Sequence, residues 1–281
     1  METGPPRDVD GADRRPRGER GRATERRSLQ LDDPAAYGLA FADVYNRWYH
    51  GDGAADGGLQ ALCDFVAERT PSGIVIELGV GTGRLADPLI EQGLTVIGVD
   101  ASLAMLSRCN PRVVRVAADM ATLPFDTGSI ERQREYGPTV LCGFNTVFNL
   151  HSRSRLRQLV GAVARMRATF IVEMLNTDLL ADSPERSTGR SPLPATRDGV
   201  IVSSTTVDHQ QQLMVGRHLE ISNGGVISRP WMLRWITMTE LDDEAAAAGL
   251  NPAERFGDWY RQPFTSRSDS VISVYRPSQN S

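Results

Sequence analysis

The stretch Glu77-Leu78-Gly79-Val80-Gly81-Thr82-Gly83-Arg84 constrains this chain more than any other. A short β-branched run, Ile74-Val75-Ile76-Glu77-Leu78, feeds three alternating glycines, and a helix-like stretch, Arg84–Glu91, follows. Glycine lets a backbone turn sharply and lets a ligand approach it closely. The helix start then faces that ligand with unpaired N–H groups. Four further apolar runs come after it: Thr95–Asp100, Arg112–Ala117, Thr139–Asn145 and Thr169–Leu175. Helix-like stretches separate them at Ser102–Arg108 and at Ser154–Arg167, where Leu156, Leu159, Val160, Val163 and Met166 form one stripe. Alternating strands and helices, with strands apolar throughout, predict an α/β fold: a doubly wound, mostly parallel sheet covered on both faces.

The rhythm changes on either side of this core. Upstream, Ala35–Tyr49 reads as an amphipathic helix carrying Leu39, Phe41, Val44, Tyr45 and Trp48, and Gly57–Arg69 as a second helix. Downstream, Ser183–Arg197 reads as a loop. Three consecutive strands are then expected at Val200–Val207, Leu213–Ser222 and Gly225–Ile236, with a hairpin at Asn223-Gly224-Gly225. Three strands without a helix between them predict an antiparallel flap inserted after the fifth parallel strand. A helix is expected to start at Thr239, with Asp242 as its capping-box partner, and to end at Gly249; Val271–Tyr275 is a last strand. The segment Asp126–Gly137 is charged and irregular, which leaves the helix before the fourth strand undefined. Residues 1–30 are rich in Arg, Asp, Glu, Gly and Pro and almost lack large apolar side chains, so they read as a disordered tail. The expected organisation is therefore a tail at 1–30, helices covering the active site at 31–72, a ligand-binding core at 73–178, the flap at 179–237, and a helix and strands completing the sheet at 238–281.

Composition narrows the function. The chain has 40% hydrophobic and 23% charged residues and a formal net charge of −4, which implies no general attraction to nucleic acid or an anionic membrane. No apolar run is long enough to span a bilayer, and the N-terminus has no apolar signal core. Cys63, Cys109 and Cys142 are scattered without paired spacing, which fits a reducing cytoplasm and argues against a disulfide framework or a zinc site. The histidines show no ligand spacing, and no catalytic metal is expected.

The glycine loop must be assigned between two kinds of ligand. A dinucleotide fingerprint, G-x-G-x-x-G/A, places a small third residue for close helix–strand packing; here that position is Arg84. The pattern is G-x-G-x-G preceded by Glu77, which suits S-adenosylmethionine (SAM) better. Asp100 ends the second run and can accept both ribose hydroxyls. Asp119-Met120 follows the third, where a carboxylate can accept the adenine amino group while Met105 and Met120 pack on the ring.

Ile74–Arg84, Gly98–Met105 and Ala118–Met120 resemble the SAM-binding motifs of class I methyltransferases, a Rossmann-like fold with a seven-stranded sheet. Ala42–Tyr49, Gly143–Leu150 and Trp259–Tyr275 are similar to bacterial small-molecule methyltransferases of secondary metabolism, and the flap resembles the lid of amino-sugar and glycine N-methyltransferases. The resemblance spans Ala40 to Arg276. It implies SAM contacts at Glu77, Gly79, Gly81, Gly83, Asp100, Ala101, Asp119 and Met120, with further contacts from Phe144, Asn145, Tyr45 and Tyr49. S-adenosylhomocysteine would be the product.

Methyl transfer from a sulfonium is an in-line displacement, so positioning dominates. Tyr45, Trp48 and Tyr49 are candidates for an aromatic wall that holds a cation. His151, just past the fourth strand, is the candidate general base. Asn145 and Asn149 are candidates to orient an acceptor N–H or O–H. Glu173, Asp178, Arg234, Trp235 and the Asp258-Trp259-Tyr260 cluster are candidates to line the acceptor side. The acceptors expected are an aromatic or indole carbon of a natural product first, then an amino group on a sugar or amino acid. Competing readings are a dinucleotide oxidoreductase, disfavoured by Arg84, and a nucleic-acid methyltransferase, disfavoured by charge and by Asn145-Thr146-Val147-Phe148 after strand four. A non-catalytic SAM-binding protein is the third. The N-terminal helix and the flap are the surfaces through which a homodimer could form.

Overall fold

The computed structural model describes Met1 and residues 30–49, 56–125, 137–181, 184–191, 193 and 199–278. Nearly all of the expected tail and of Asp126–Gly137 therefore lies outside the described residues.

Two short helices come first, α1 (Ala36–Phe41) and α2 (Tyr45–Tyr49), followed by α3 (Asp56–Glu68). The single helix expected over Ala35–Tyr49 is thus broken at Ala42–Val44. The break lets Phe41, Val44 and Trp48 bury in one satellite core, while Asp43 turns outward to an arginine of the flap. The core then alternates β1 (Ile74–Leu78), α4 (Ala86–Glu91), β2 (Thr95–Asp100), α5 (Leu103–Leu106), β3 (Val114–Ala117), β4 (Thr139–Cys142), α6 (Arg153–Arg165) and β5 (Thr169–Leu175). The flap contributes β6 (Arg186–Arg190), β7 (Val200–Asp208), β8 (Leu213–Ser222) and β9 (Gly225–Arg234). The chain ends with α7 (Met238–Ala247), β10 (Leu250–Phe256) and β11 (Ser270–Pro277).

Seven strands form the main sheet in the order β10-β11-β5-β4-β1-β2-β3. β1 to β5 are parallel, and at one edge β11 pairs antiparallel with both β5 and β10, so β11 alone runs against the other six. Because successive strand residues point to opposite faces, each central strand feeds two cores. Ile76, Val140, Phe170 and Val172 pack with α6 and α7 on one face. Val75, Leu141 and Ile171 pack with α3 and α4 on the other. The chain leaves β1 for β2 on one side, while β4 lies on the other. That reversal opens a crevice at the C-terminal ends of β1 and β4, the place where open α/β sheets bind ligands.

The flap is a separate antiparallel sheet, β6-β7-β8-β9. Its first strand falls where a loop was expected. All five β6 residues are exposed, so no hydrophobic alternation marks them, and pairing to β7 alone makes the strand. The helix after the flap starts two residues earlier than expected, because Thr237 rather than Thr239 accepts the capping hydrogen bond, from Glu240 N at 3.1 Å.

Candidate active site

The glycine loop crosses the crevice mouth in left-handed backbone: φ is +62° at Gly79 and +58° at Gly81. A side chain at Gly79 would strike Thr146, whereas one at Gly81 would meet only ordinary van der Waals neighbours, the Gly79 carbonyl and the Tyr45 ring, at 3.9 and 4.0 Å. Asp100, at the end of β2, locks the loop: its Oδ2 accepts from Gly81 N at 2.9 Å and its Oδ1 from Ser102 N at 2.8 Å. Burial pushes the Asp100 carboxyl up, and these two backbone donors pull against that shift.

The loop borders a cavity of about 390 Å³, within the size range of ligand pockets. Of the residues singled out in the sequence, Tyr45, Tyr49, Gly79, Gly81, Asp100, Ala101, Met105, Asp119, Met120, Phe144, Asn145 and Asn149 line it. Two arginines, Arg84 and Arg155, line it as well, together with Pro34, Tyr37, Gly38, Thr146 and Leu233, none of which carried a signal as a site residue in the sequence.

At the far end from the glycine loop, Asp119 caps a short turn by accepting from Ala121 N at 2.9 Å, and Arg155 Nη2 donates to both its oxygens at 2.7 Å. At the near end, Phe144 and Asn145 are successive non-glycine residues with φ of +50° and +59°, a conformation costing on the order of 1–3 kcal/mol each. Hydrogen bonds hold them there. Phe144 N donates to Glu173 Oε2 at 2.7 Å, and Asn145 Oδ1 accepts from Leu175 N. Glu173 Oε1 in turn accepts from Trp259 Nε1 at 2.9 Å.

The wall above the loop is aromatic. Tyr45 and Tyr49 have ring centroids 4.8 Å apart, and Tyr37 lines the same wall. Burial raises the pKa of Tyr37 and of Tyr45 above that of a free phenol, so both stay protonated. The Arg84 guanidinium stacks on the Phe144 ring at 3.6 Å.

Other candidates from the sequence lie away from the cavity wall. His151 lies outside this cavity, with Nε2 3.2 Å from the Met232 carbonyl of the flap, and burial lowers its pKa. Glu77 and Gly83 are buried behind the glycine loop, and Glu77 Oε2 has no hydrogen-bond partner among the described residues. Glu173 and Trp259 support the loop after β4 and do not line the cavity. Trp48 packs between Phe41 and His218. Trp235 belongs to the main core. Arg234 pairs with Glu240 at 2.9 Å and Gln212 at 2.9 Å, away from the cavity. Asp178, Asp258 and Tyr260 do not line it either. Among the described residues, no three His, Cys, Asp or Glu side chains gather to hold a metal.

Comparisons with known proteins point to one family. The profile of the "Methyltransferase domain" family matches residues 75–167. The solved CcbJ methyltransferase from Streptomyces caelestis is 30% identical, with a TM-score of 0.76 over 88% of this chain and 99% of its own. The cypemycin N-terminal methyltransferase of a Streptomyces species is 27% identical over 207 residues, 71% of this chain and 81% of that protein. SAM-bound CalS10, an amino pentose methyltransferase from Micromonospora echinaspora, shares the fold at 21% identity and a TM-score of 0.60, over 83% of this chain and 96% of its own.

Proposed function

The chain belongs to the SAM-dependent methyltransferases, and from that premise we propose that it methylates an amine nitrogen on a small natural product or peptide. The observation that carries the proposal is a cavity joining a nucleoside-type wall, Asp100 and Asp119, to a cluster of phenol side chains, Tyr37, Tyr45 and Tyr49. The relative named for N-terminal methylation of cypemycin supports nitrogen over carbon, which reverses the order of acceptors expected from the sequence.

The residues fit the cofactor. Gly81 lines the cavity without a side chain of its own, so a ligand can approach its backbone closely. Asp100 keeps lone pairs for ribose hydroxyls after its two backbone bonds, and Asp119 keeps one for an adenine N–H. Met105 and Met120 supply apolar, polarisable surface for the ring. When bound, SAM supplies a sulfonium methyl group open to in-line displacement. The protein's own contribution is then alignment and exclusion of water.

An amine attacks through its lone pair and must arrive uncharged. Tyr37 and Tyr45, with raised pKa values, cannot serve as strong bases near neutral pH. They act instead as hydrogen-bond partners that turn the lone pair toward the methyl group. Asn149, whose Nδ2 is committed to the Thr146 carbonyl at 3.1 Å, leaves its amide oxygen to accept an acceptor N–H. Leu233, from the flap, adds apolar surface over the same space.

A second reading, methylation of an indole carbon, is favoured by the same aromatic wall, since a flat heterocycle can stack there. SAM carrying a carbon-13 methyl group separates the two. After incubation with peptide amines, amino sugars and indoles, the chemical shift of the transferred label reports N–CH3 or C–CH3. Transfer to an amine supports the proposal. Transfer to carbon alone establishes the second reading, and no transfer to either class overturns both.

A further inference from the structure

We propose that the free edge of β6, with the arginines on the flap's outer face, is a docking strand for an acidic segment of an extended peptide. β6 stands at the end of the flap sheet and pairs with β7 alone. Along an antiparallel strand, residues that bond the neighbour alternate with residues whose backbone groups face away from it. Glu185 and Ser191, on either side of β6, bond to β7: Val207 N donates to the Glu185 carbonyl and Ser191 N to the Ile201 carbonyl, at 2.8 Å each. The alternation leaves the N–H and C=O groups of Arg186, Thr188 and Arg190 on the open edge. All five β6 residues are exposed, and none of them lines the main cavity.

The side chains select the partner. Arg186, Thr188 and Arg190 lie on the outer face of the flap, where Thr188 Oγ1 donates to Ser204 Oγ at 3.3 Å. The inner face carries Ser203 and His218 against Trp48. Arg217 of β8 shares the outer face, in register with Ser204 and Thr188, and is exposed. None of these three arginines forms an ion pair among the described residues. The acid on that face, Asp208, is turned to the β7–β8 connection, where its Oδ1 accepts from Gln210 N and Gln211 N at 3.0 and 2.9 Å. A chain of net charge −4 thus carries one cationic sheet face. A second copy of β6 is a poor occupant: antiparallel pairing about Thr188 would set Arg186 against Arg190 twice, and like charges directly opposite are destabilising. Charges on an edge strand guard it against such pairing. Arg217, two strands in from the edge, is not needed for that guard and extends the positive face. A strand with Glu or Asp at alternate positions brings carboxylates to these arginines while its backbone fills the open edge.

The probe is a peptide of alternating Glu and Val, acetylated at its N-terminus so that it offers no amine to methylate, and labelled at its C-terminus. Fluorescence anisotropy at low salt reads its binding to the full chain. Wild type is expected to bind it saturably, and to bind the same peptide with Gln for Glu at least about tenfold more weakly. Reversing the edge charges, Arg186→Glu with Arg190→Glu, is expected to weaken binding about tenfold or more. Thr188→Pro removes one edge N–H, keeps the bonds to β7 and suits an edge strand; it is expected to weaken binding about fivefold. Unchanged S-adenosylhomocysteine affinity verifies that each variant is folded. It also keeps the two readings apart, since the methyl-transfer reading fails only if wild type does not bind S-adenosylhomocysteine. The proposal is overturned if wild type does not bind the peptide, if the Gln peptide binds equally well, or if charge reversal has no effect. Loss on charge reversal with Thr188→Pro unchanged would make the face a general polyanion surface and overturn strand addition. A wild-type dimer in sedimentation that both variants abolish would give the edge to a second copy and overturn it as well.

Discussion

Arg155 donates from a single nitrogen, Nη2, to both carboxylate oxygens of Asp119, at 2.7 Å each. With Ala121 N also bonded to Oδ1, the carboxylate is fixed in the cavity wall with one lone pair left over. Removing Asp119 deletes an acceptor and leaves Arg155 without its anion. Asp119→Ala is expected to weaken S-adenosylhomocysteine binding about tenfold, the worth of a hydrogen bond to a charged group. Arg155→Met is expected to weaken it less, because the acceptor remains but is no longer held. Calorimetry measures both, and an unchanged affinity in Asp119→Ala would contradict the assignment of that end to adenine.

A second ion-pair cluster ties the flap to the helices that roof the cavity. Arg229 on β9 donates to Asp43 Oδ1 and Oδ2 at 2.7 and 2.8 Å and to the Ala40 carbonyl at 2.7 Å. Its side chain is 6% exposed, and Glu220, 3.6 Å away, is 5% exposed. Arg229→Met leaves Glu220 buried with Arg47 alone and is expected to cost about 3 kcal/mol of stability. Denaturant unfolding gives the loss. Hydrogen exchange should rise in β9 and α1 and stay unchanged in β1 and β4; a uniform rise would argue against a local latch.

The same cluster sets a pH dependence. Burial pushes the Asp43 carboxyl up, but the hydrogen bond and charge of Arg229 outweigh it and hold the pKa below the usual range. A depressed carboxyl contributes stability above its unfolded pKa and loses it as pH falls through the folded value. Unfolding measured from neutral pH downward should therefore show an acid loss in wild type that is smaller in Arg229→Met. Parallel curves would exclude the pair as its source.

All three cysteines are buried, and burial pushes each thiol up to about 12. The reactive thiolate is then a minute fraction at pH 8. Native protein is expected to resist a thiol-specific chromogenic disulfide for minutes, whereas denatured protein reacts at three sites. Rapid labelling of even one thiol in the native state would show that its element opens.

Tyr45 and His151 separate a residue in the cavity from one beside it. Tyr45→Phe removes a hydroxyl from the cavity wall and is expected to lower kcat at least tenfold, with S-adenosylhomocysteine affinity within a few-fold. His151→Gln is expected to leave kcat/KM within a few-fold and the pH profile unmoved, because the ring lies outside the cavity and braces Met232. A lost limb in the pH profile of His151→Gln would restore it as the base.

The sheet was legible because its signal is local. β1, β2 and β5 run over the same residues that their β-branched stretches mark, and Gly79, Gly81 and Asp100 sit on the turns those strands end in. β6 was not legible, since Arg186–Arg190 is exposed along its whole length and only its partner strand defines it. The supporting residues were the least legible. Arg155 lies 36 positions from Asp119, Trp259 lies 86 from Glu173, and Met232 lies 81 from His151. Nothing in the spacing of such pairs marks them. Glu173 and Trp259 were accordingly expected against an acceptor, although their hydrogen bonds hold the backbone of Phe144.

The account stands most directly on Asp100, which joins the glycine loop to the end of β2 and faces the cavity. Calorimetry of S-adenosylhomocysteine with wild type, Asp100→Asn and Asp100→Ala tests it. The account predicts saturable one-site binding to wild type, weakened about tenfold in Asp100→Asn and more in Asp100→Ala as charge-assisted acceptance is lost, with both variants folded by circular dichroism. No binding to wild type, or equal affinity in all three proteins, would contradict it.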